Sequence, residues 1–194
     1  MRLFVAVNFN DEIKDSLCRA IDALRGASFK GSFSRRENLH LTLVFLGEVR
    51  PNDVMEITKC IDLIDCEPFT LRVGGIGRFA RHGGDICWAG VKPDKNLKEL
   101  QKMISEGLEN AGFSFDRREY HPHLTLGREV LIKQSSRQSE ELRKADAAAK
   151  WYEDPQNQRL VPDMAMEVKK VSLMQSERIG GRMVYSEIYV KNLR

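Results

Sequence analysis

The sequence predicts an α/β or α+β fold, and three observations support this expectation. Short β-rich runs alternate with segments whose apolar residues recur at helical spacing. The composition is typical of a globular protein, with 42% hydrophobic and 30% charged residues. A four-residue string, His-Leu-Thr-Leu, occurs twice and indicates two related lobes. The length fits one bilobed domain over residues 1–194 better than two independent domains.

The first elements are read from their hydrophobic periodicity. Leu3–Asn8 is a short β-rich run and predicts a strand, whereas Asp11–Arg25 has apolar residues every three or four positions and predicts a helix. A second strand is expected over Leu39–Leu46, where it is ended by Gly47. The next helix begins at Pro51, because proline is favoured at the first helical position.

Two strands and a third helix complete the first half. The strands are expected at Phe69–Val73 and Ile86–Val91, and the helix at Lys95–Asn110, where Ala111-Gly112 ends it. Gly74–Gly77 is interpreted as a turn, because it lacks the lysine and the following helix of a phosphate-binding P-loop.

The second half is expected to begin with a strand and an exposed helix. Its predicted elements are a strand at His123–Leu126, a charged helix at Gln138–Lys150, an irregular loop at Trp151–Pro162, and strands at Ala165–Leu173 and Met183–Val190 joined by a turn at Gly180-Gly181.

The bulk composition says more about where the protein is expected to lie in the cell than about which ligand it binds. The net charge is +3, from 31 Lys and Arg against 28 Asp and Glu, which is compatible with a polyanionic ligand without indicating one. The four cysteines form no C-x-x-C pair. The apolar run at the N-terminus is too short for a signal peptide, and no stretch is long enough to span a membrane. We expect a cytoplasmic monomer with reduced thiols and no membrane association.

The repeated string is the most informative feature of the sequence. Residues 35–43 read RRENLHLTL and residues 117–126 read RREYHPHLTL, so that each copy follows an Arg-Arg-Glu triplet. Successive side chains on a strand point to opposite faces, and a histidine and a threonine two residues apart therefore share one face. The residues expected on the apolar face are Leu41, Leu43 and Phe45 in the first copy and Leu124 and Leu126 in the second.

Two such strands side by side suit the hydrolysis of a cyclic phosphodiester. His40 and His123 titrate near neutrality, so one can deprotonate water while the other protonates the departing sugar oxygen. Thr42 and Thr125 can donate hydrogen bonds to the phosphate oxygens, where charge builds up in the transition state. This chemistry requires no metal and no other cofactor.

Arg128 follows Gly127 and has two alternative interpretations. Strict alternation turns its side chain toward the apolar face, but a glycine permits a β-bulge that redirects it. In that case the guanidinium suits a phosphate clamp, since its fixed fork of donors matches phosphate oxygens. A surface salt bridge is the alternative.

A metal site is the weaker alternative for the histidines. His121 and His123 form an H-x-H pair, with His40 or His82 as a third ligand. Pro122 between them favours the start of a strand over a regular strand, and no acidic residue or cysteine is suitably spaced to complete the set.

Other residues have both a functional and a structural interpretation. The basic residues upstream of the motifs can attract RNA phosphates or form a solvated charge cluster; they are Arg35, Arg36, Arg117 and Arg118. Phe79 and Trp88 can stack on a base, although core packing is favoured for each.

The double H-x-T-x motif resembles the 2H phosphoesterase superfamily. The surrounding strings NLHLTLVFLGEV and REYHPHLTLGR are similar to its RNA 2′,3′-cyclic phosphodiesterase branch, historically called 2′-5′ RNA ligase or LigT-like. The opening MRLFVAV, the GGIGRF and ICWAGV stretches and the closing YSEIYVKNL fit the same pattern.

This resemblance implies a fold, an activity and a division of roles. The fold is α+β, bilobed and pseudo-twofold, with two antiparallel sheets flanked by helices around a central cleft. The activity is hydrolysis of a 2′,3′-cyclic phosphate end of RNA, on tRNA fragments, other RNA or small nucleotides, to a 2′-phosphate. His40 is then the proton donor to the 3′ oxygen and His123 the acceptor from water. Ligation by the reverse reaction and a non-catalytic RNA-end binding module remain alternatives.

Overall fold

The computed structural model describes residues 1–116, 119–133 and 148–194. Its strands are β1 (Arg2–Asn8), β2 (Ser28–Phe33), β3 (His40–Glu48), β4 (Phe69–Phe79), β5 (Asp85–Val91), β6 (His123–Ile132), β7 (Met164–Val168), β8 (Lys170–Ile179) and β9 (Arg182–Asn192). Its helices are α1 (Asp11–Gly26), α2 (Val54–Asp62), α3 (Lys95–Asn110) and a short helix at Pro155–Gln158, while residues 148–153 are also helical and 3₁₀ turns lie at Arg36–Asn38 and Pro51–Asp53.

The strands form two antiparallel sheets, each of which contains one copy of the repeat. The first sheet has the order β3-β1-β8-β9 and the second the order β2-β6-β5-β4-β7. The first motif therefore lies on an edge strand, whereas β6 lies between β2 and β5. The helices flank the sheets, and the expected α+β architecture is confirmed.

The helices α1 and α3 begin where the sequence predicts, whereas the helix expected from Pro51 opens with the 3₁₀ turn and α2 itself begins at Val54. The side chain of Asn10 accepts a hydrogen bond from the Ile13 backbone nitrogen at 3.0 Å and caps α1, and Asp94 caps α3 in the same way through Leu97 at 2.8 Å. The apolar face of α1 is buried with the backs of both sheets in one core cluster. Leu41 and Leu124 of the motif strands are 0% exposed in this core, and burial of such a side chain contributes about 1.5–3 kcal/mol.

The strand predicted at Ala165–Leu173 is two strands that belong to different sheets. β7 pairs with β4 in the second sheet, whereas β8 pairs with β1 in the first. Lys169 separates them, and the chain crosses between the sheets at this point. A continuous β-rich run contains no signal for this crossing, because local propensity is the same on both sides of it.

The turn predicted at Gly74–Gly77 is wrong, since these residues lie inside β4. The pairing of β4 with β5 is irregular between Val73 and Ile76, and Gly75 has a φ of +70°. A Cβ on Gly77 would lie 2.1 Å from Cη2 of Trp88. The glycines therefore permit a bulge and the close approach of an indole ring, not a change of chain direction.

The structure differs from the sequence-based expectations, or leaves them untested, at three further places. β2 was not predicted, because SFKGSF is short and only partly apolar. The loop expected at Trp151–Pro162 contains helical residues 151–153 and the helix Pro155–Gln158. Residues 138–147 of the predicted charged helix lie outside the described residues, whereas residues 148–150 are helical.

All four cysteines, Cys18, Cys60, Cys66 and Cys87, are free thiols. Within the described ranges, none of the helices combines the length and apolar character that a membrane span needs.

Candidate active site

Both motif strands contain a β-bulge at the same position of the repeat. In the first sheet, Thr42 pairs with Ala6 and Val44 pairs with Val5, so that Leu43 has no partner of its own on β1. A bulge of this kind shifts the alternation of side chains by one residue. Residues beyond Leu43 therefore face the opposite side from the one that strict alternation predicts.

The second motif has the equivalent bulge. Thr125 pairs with Trp88 and Gly127 pairs with Cys87, which leaves Leu126 without a partner on β5. In each copy the extra residue is thus the leucine that directly follows the threonine. The two motifs therefore share a β-bulge as well as four identical residues.

The bulges place Phe45 and Arg128 at equivalent positions, each five residues after its histidine. Phe45 was predicted to face the core, and this is wrong: its ring is 37% exposed and lies 5.0 Å from the Arg2 guanidinium. Arg128 is exposed in the same way. Glu129 after it has a φ of +52°, the left-handed region, which further redirects the backbone at this point.

The imidazole of His40 is fixed at both nitrogens. Nδ1 lies 2.7 Å from the carbonyl oxygen of Asn38, and Nε2 lies 3.0 Å from Oγ1 of Thr42. A carbonyl can only accept, so Nδ1 carries a proton and Nε2 is the nitrogen that gains or loses one. The rings of Phe4 and Tyr185 pack against the imidazole at centroid distances of 4.7 Å and 5.2 Å.

The imidazole of His123 is held in the same way from the other sheet. Its Nδ1 lies 2.6 Å from the carbonyl oxygen of His121, which leaves Nε2 as the nitrogen for proton transfer. The ring of Phe79 meets the imidazole edge-on at 5.0 Å, and Trp88 packs on Phe79 at 5.4 Å. Phe79 and Trp88 therefore line the histidine side of the sheet, and the expectation of core packing for them is wrong.

Burial and nearby charges shift the pKa of both histidines in the same direction. Burial lowers the pKa of both imidazoles below the ordinary 6.5, and the carbonyl on each Nδ1 opposes this effect. The positive charge of Arg128 lowers the pKa of His40 and of His123. One guanidinium thus contributes to the lower pKa of both imidazoles, and the free site favours neutral rings.

One hydrogen bond connects each motif to the segment that precedes the other motif. The Ser34 hydroxyl donates to the carbonyl of Thr125 at 2.7 Å, and the Tyr120 hydroxyl donates to the carbonyl of Thr42 at 3.3 Å. Both acceptors are the backbone of the motif threonines. Ser34 directly follows β2, which pairs with β6 inside the second sheet, so that of these two contacts the one from Tyr120 joins the two sheets. We call this pair of contacts the cross-motif bonds. Ser34 and Tyr120 were not predicted from the sequence, although both lie beside the repeat; Phe4 and Tyr185 were missed as well.

The basic residues upstream of the first motif are occupied by contacts within the protein. Arg36 pairs with Asp11 at 2.8 Å and with Asp15 at 2.9 Å, and Arg35 pairs with Glu37 at 3.0 Å. These contacts anchor the turn before His40. Arg117 and Arg118 lie outside the described residues.

The residues of the alternative metal site make other contacts or are exposed to solvent. The exposed His121 pairs with Glu119 at 3.5 Å, and His82 lies exposed in the turn between β4 and β5. Over the described ranges, no three side chains of His, Cys, Asp or Glu are grouped closely enough to hold a metal ion.

Comparisons with known proteins agree with this fold. A sequence model of the 2′-5′ RNA ligase superfamily matches residues 13–180. An RNA 2′,3′-cyclic phosphodiesterase of Methanothermobacter thermautotrophicus is 30% identical over 200 residues, covering 100% of this chain and 99% of that protein. One of Archaeoglobus fulgidus is 36% identical over 129 residues, or 66% of this chain and 72% of that protein.

Solved structures show the same fold. The crystal structure of Escherichia coli LigT in apo form superposes with a TM-score of 0.75 at 24% identity, covering 99% of this chain and 96% of that one. TT0787 of Thermus thermophilus gives 0.74 at 24% identity, covering 100% and 98%. With the superfamily match over most of its length, the chain belongs to the 2′-5′ RNA ligase superfamily.

Proposed function

We propose that this protein hydrolyses the 2′,3′-cyclic phosphate end of RNA to a 2′-phosphate, by proton transfer between two histidines and without a metal ion. The observation that supports this most strongly is the matched pair of imidazoles. In each of them a backbone carbonyl fixes the proton on Nδ1 and leaves Nε2 for chemistry. The relatives named RNA 2′,3′-cyclic phosphodiesterase support the choice of substrate.

The reaction needs one neutral and one cationic imidazole. Nε2 of His123 accepts a proton from water as the water oxygen attacks phosphorus. The bond between phosphorus and the 3′ oxygen breaks, and Nε2–H of His40 gives its proton to that oxygen. Because the free site favours neutral rings, the negative charge of the bound phosphate is what raises the pKa of His40 enough for it to act as the acid.

Three side chains bind the phosphate oxygens in this proposal. Thr42 and Thr125 lie two residues beyond the histidines, on the same face of each strand. They donate hydrogen bonds to the oxygens on which charge builds up, and such a donor contributes about 10²–10³-fold in rate. Arg128 supplies the compensating positive charge.

The same geometry supports ligation as a second activity. In ligation, the 5′-hydroxyl oxygen of a second RNA attacks phosphorus in place of water: His123 takes the hydroxyl proton, the bond to the 3′ oxygen breaks, and His40 protonates that oxygen. The superfamily description names a 2′-5′ RNA ligase. We also infer that the chain works as one bilobed domain over residues 1–194 and as a cytoplasmic monomer. The hydrogen bond from Tyr120 to the carbonyl of Thr42, which joins the two sheets, supports the first of these statements, and light scattering on the purified protein tests the monomer.

The deciding experiment uses RNA with a 2′,3′-cyclic phosphate end in excess EDTA, followed by analysis of the product ends. We expect a 2′-phosphate end, with activity unchanged by the chelator. The control is the protein with both His40→Ala and His123→Ala, which should leave the cyclic end intact. Loss of activity on chelation, with recovery on adding zinc or manganese, would favour the metal site. Addition of RNA with a 5′-hydroxyl end tests ligation in the same assay.

A further inference from the structure

Three aromatic rings extend the face of the first sheet beyond His40. The rings of Phe4 and Tyr185 pack on its imidazole at centroid distances of 4.7 Å and 5.2 Å. Phe45 is directly opposite Phe4 in the pairing of β1 with β3, so that its ring lies beside Phe4 on the same face. Only the side chain of Phe4 therefore separates the exposed ring of Phe45 from the imidazole.

Two arginines continue this face past the aromatic rings. The Arg2 guanidinium lies 5.0 Å from the centre of the Phe45 ring. Arg2 pairs with Ser176 on β8, and Arg178 follows two residues later on that strand, so both guanidinium groups lie on the same face. We call this surface, which consists of Arg2, Phe45, Arg178 and Tyr185, the outer face of the first sheet.

An open depression lies between the two arginines. Its volume is about 540 Å³, and Arg2, Ser176, Arg178 and Met183 are among the residues that line it. Sites for small molecules and cofactors usually have about 300–1,000 Å³. The depression is therefore large enough for one unit of a nucleotide chain.

The positive charge of the outer face is not balanced by the acidic residues around it. In the ranges 1–116, 119–133 and 148–194, neither Arg2 nor Arg178 forms an ion pair with a carboxylate. Glu48 lies 3.7 Å from the ammonium of Met1, and Glu177, next to Arg178 on the strand, points to the opposite face. Two exposed guanidinium groups beside an exposed ring thus remain available to a ligand with phosphates and bases.

The chemistry of the proposed reaction places the RNA chain on this side of the site. In phosphoryl transfer the attacking and leaving oxygens lie roughly in line, on opposite sides of phosphorus. Since His123 takes the proton of the water and His40 protonates the 3′ oxygen, the ribose lies on the side of His40. The preceding nucleotides are attached to that ribose through its 5′ oxygen, and they therefore meet the sheet that contains His40.

We propose that the outer face binds the nucleotides immediately 5′ of the cyclic end, with one base stacked on the Phe45–Arg2 pair and a backbone phosphate beside Arg178. Aromatic rings and cationic groups in one groove are the usual elements of a site for single-stranded nucleic acid, and they accept any base. This inference rests on the proposed function. It makes the protein act on the ends of RNA chains in preference to cyclic mononucleotides.

The test compares a nucleoside 2′,3′-cyclic phosphate with a trinucleotide that ends in the same cyclic nucleotide. We expect the wild type to have the higher kcat/KM on the trinucleotide. Phe45→Ala should lower the ratio of the two kcat/KM values, trinucleotide over mononucleotide, by roughly 10- to 100-fold, as for loss of one base–aromatic stack. Arg178→Gln should also lower this ratio, and it should make the plot of log kcat/KM against log salt for the trinucleotide shallower by about 0.7, the value for one phosphate contact.

Matched variants elsewhere separate this effect from a general loss of apolar surface or charge. Phe29→Ala removes a ring that is 61% exposed on β2 of the second sheet, and Arg19→Gln removes an exposed cation from α1. Both should leave the ratio unchanged. Phe45→Trp keeps an aromatic ring and should keep the preference for the trinucleotide, and thermal unfolding verifies that each variant folds.

The outcomes distinguish the inference from its alternatives. An equal fall of kcat/KM on both substrates in Phe45→Ala, or an unchanged ratio, would overturn it. If the outer face instead binds a second copy of the chain, Phe45→Ala will change the mass measured by light scattering and leave the ratio unchanged. Absence of turnover of both substrates by the wild type would reject the proposed function. Fluorescence anisotropy of the labelled trinucleotide then still tests the outer face, since Phe45→Ala should weaken its binding and Phe29→Ala should not.

Discussion

The two motif strands have the same backbone but different surroundings. Both have a bulge after the threonine and a carbonyl on Nδ1 of the histidine. β3, however, is an edge strand, and the residue directly opposite His40 is Asn8, whose amide donates to Ser172 and Glu187. β6 is internal, and the residue opposite His123 is Gly90.

The charged residues near the two histidines also differ. The position five residues after the histidine is Phe45 in the first strand and Arg128 in the second, and the charge of Lys14 is among those that lower the pKa of His40. A symmetric pair of imidazoles cannot by itself separate an acid from a base. The comparison indicates that groups outside the repeated string make this distinction, through charge and hydrogen bonding.

The largest expected effect comes from removal of either histidine. His40→Ala and His123→Ala should each lower kcat by about 10²–10⁴-fold, the usual contribution of a proton-transfer group. A cyclic substrate with sulfur in place of the 3′ oxygen distinguishes the two, since a thiolate leaves with little need for an acid. This substrate should restore much of the rate of His40→Ala and little of that of His123→Ala. Activity of either folded variant near that of wild type would remove that histidine from the mechanism.

Replacement of either motif threonine should have the next largest effect on the rate. Thr42→Ala and Thr125→Ala should each lower kcat by about 10²-fold, through loss of a transition-state hydrogen bond. The matched variants Thr42→Ser and Thr125→Ser keep the hydroxyl and should retain most of the rate. Neither alanine variant should remove a limb of the pH profile, because threonine does not titrate in this range. A missing limb would mean that the proton-transfer groups are misassigned.

Arg128 should affect both the rate and the pH dependence. Because both histidine pKa values lie below 6.5, the bell-shaped profile of kcat/KM should have its maximum below that pH. The two limbs belong to the coupled pair. Arg128→Gln removes a charge that lowers both pKa values, so the bell should move to higher pH while kcat/KM at its maximum falls by roughly 10- to 100-fold.

Phe45→Leu is the control at the equivalent position of the other lobe, and it should leave the bell in place. A profile that stays fixed in Arg128→Gln, or moves to lower pH, would contradict the arrangement of charges described above. A monotonic profile in the wild type, with chemistry rate-limiting, would contradict the division of roles between the histidines.

The smallest expected effect is a loss of stability on removing the hydroxyl of Ser34 or Tyr120, the donors of the cross-motif bonds. Ser34→Ala and Tyr120→Phe should each lower the free energy of unfolding by about 0.5–1.5 kcal/mol, the net contribution of one hydrogen bond. Urea unfolding measures this loss. Tyr189→Phe, which removes a hydroxyl contact with Asp62 at an exposed site, should lose less. Losses no larger than that of Tyr189→Phe would show that these two hydroxyls do not stabilise the fold.

The sequence by itself determined the helices and most strands of the first half, β2 excepted, and the pair of candidate histidines. Periodicity is a local property, so the helices α1 and α3 could be read directly. The repeated string placed His40 and Thr42 on one strand face, and His123 and Thr125 on another, for the same reason.

Only the tertiary structure decided the features that depend on pairing between distant strands. The bulge that exposes Phe45 exists because β1 pairs with β3 in one register, and the bulge near Arg128 depends on β5. The crossing at Lys169 and the approach of Trp88 to Gly77 likewise depend on which strands lie side by side. Register and strand order are set by contacts between residues far apart in the chain, and side-chain periodicity carries no information about them.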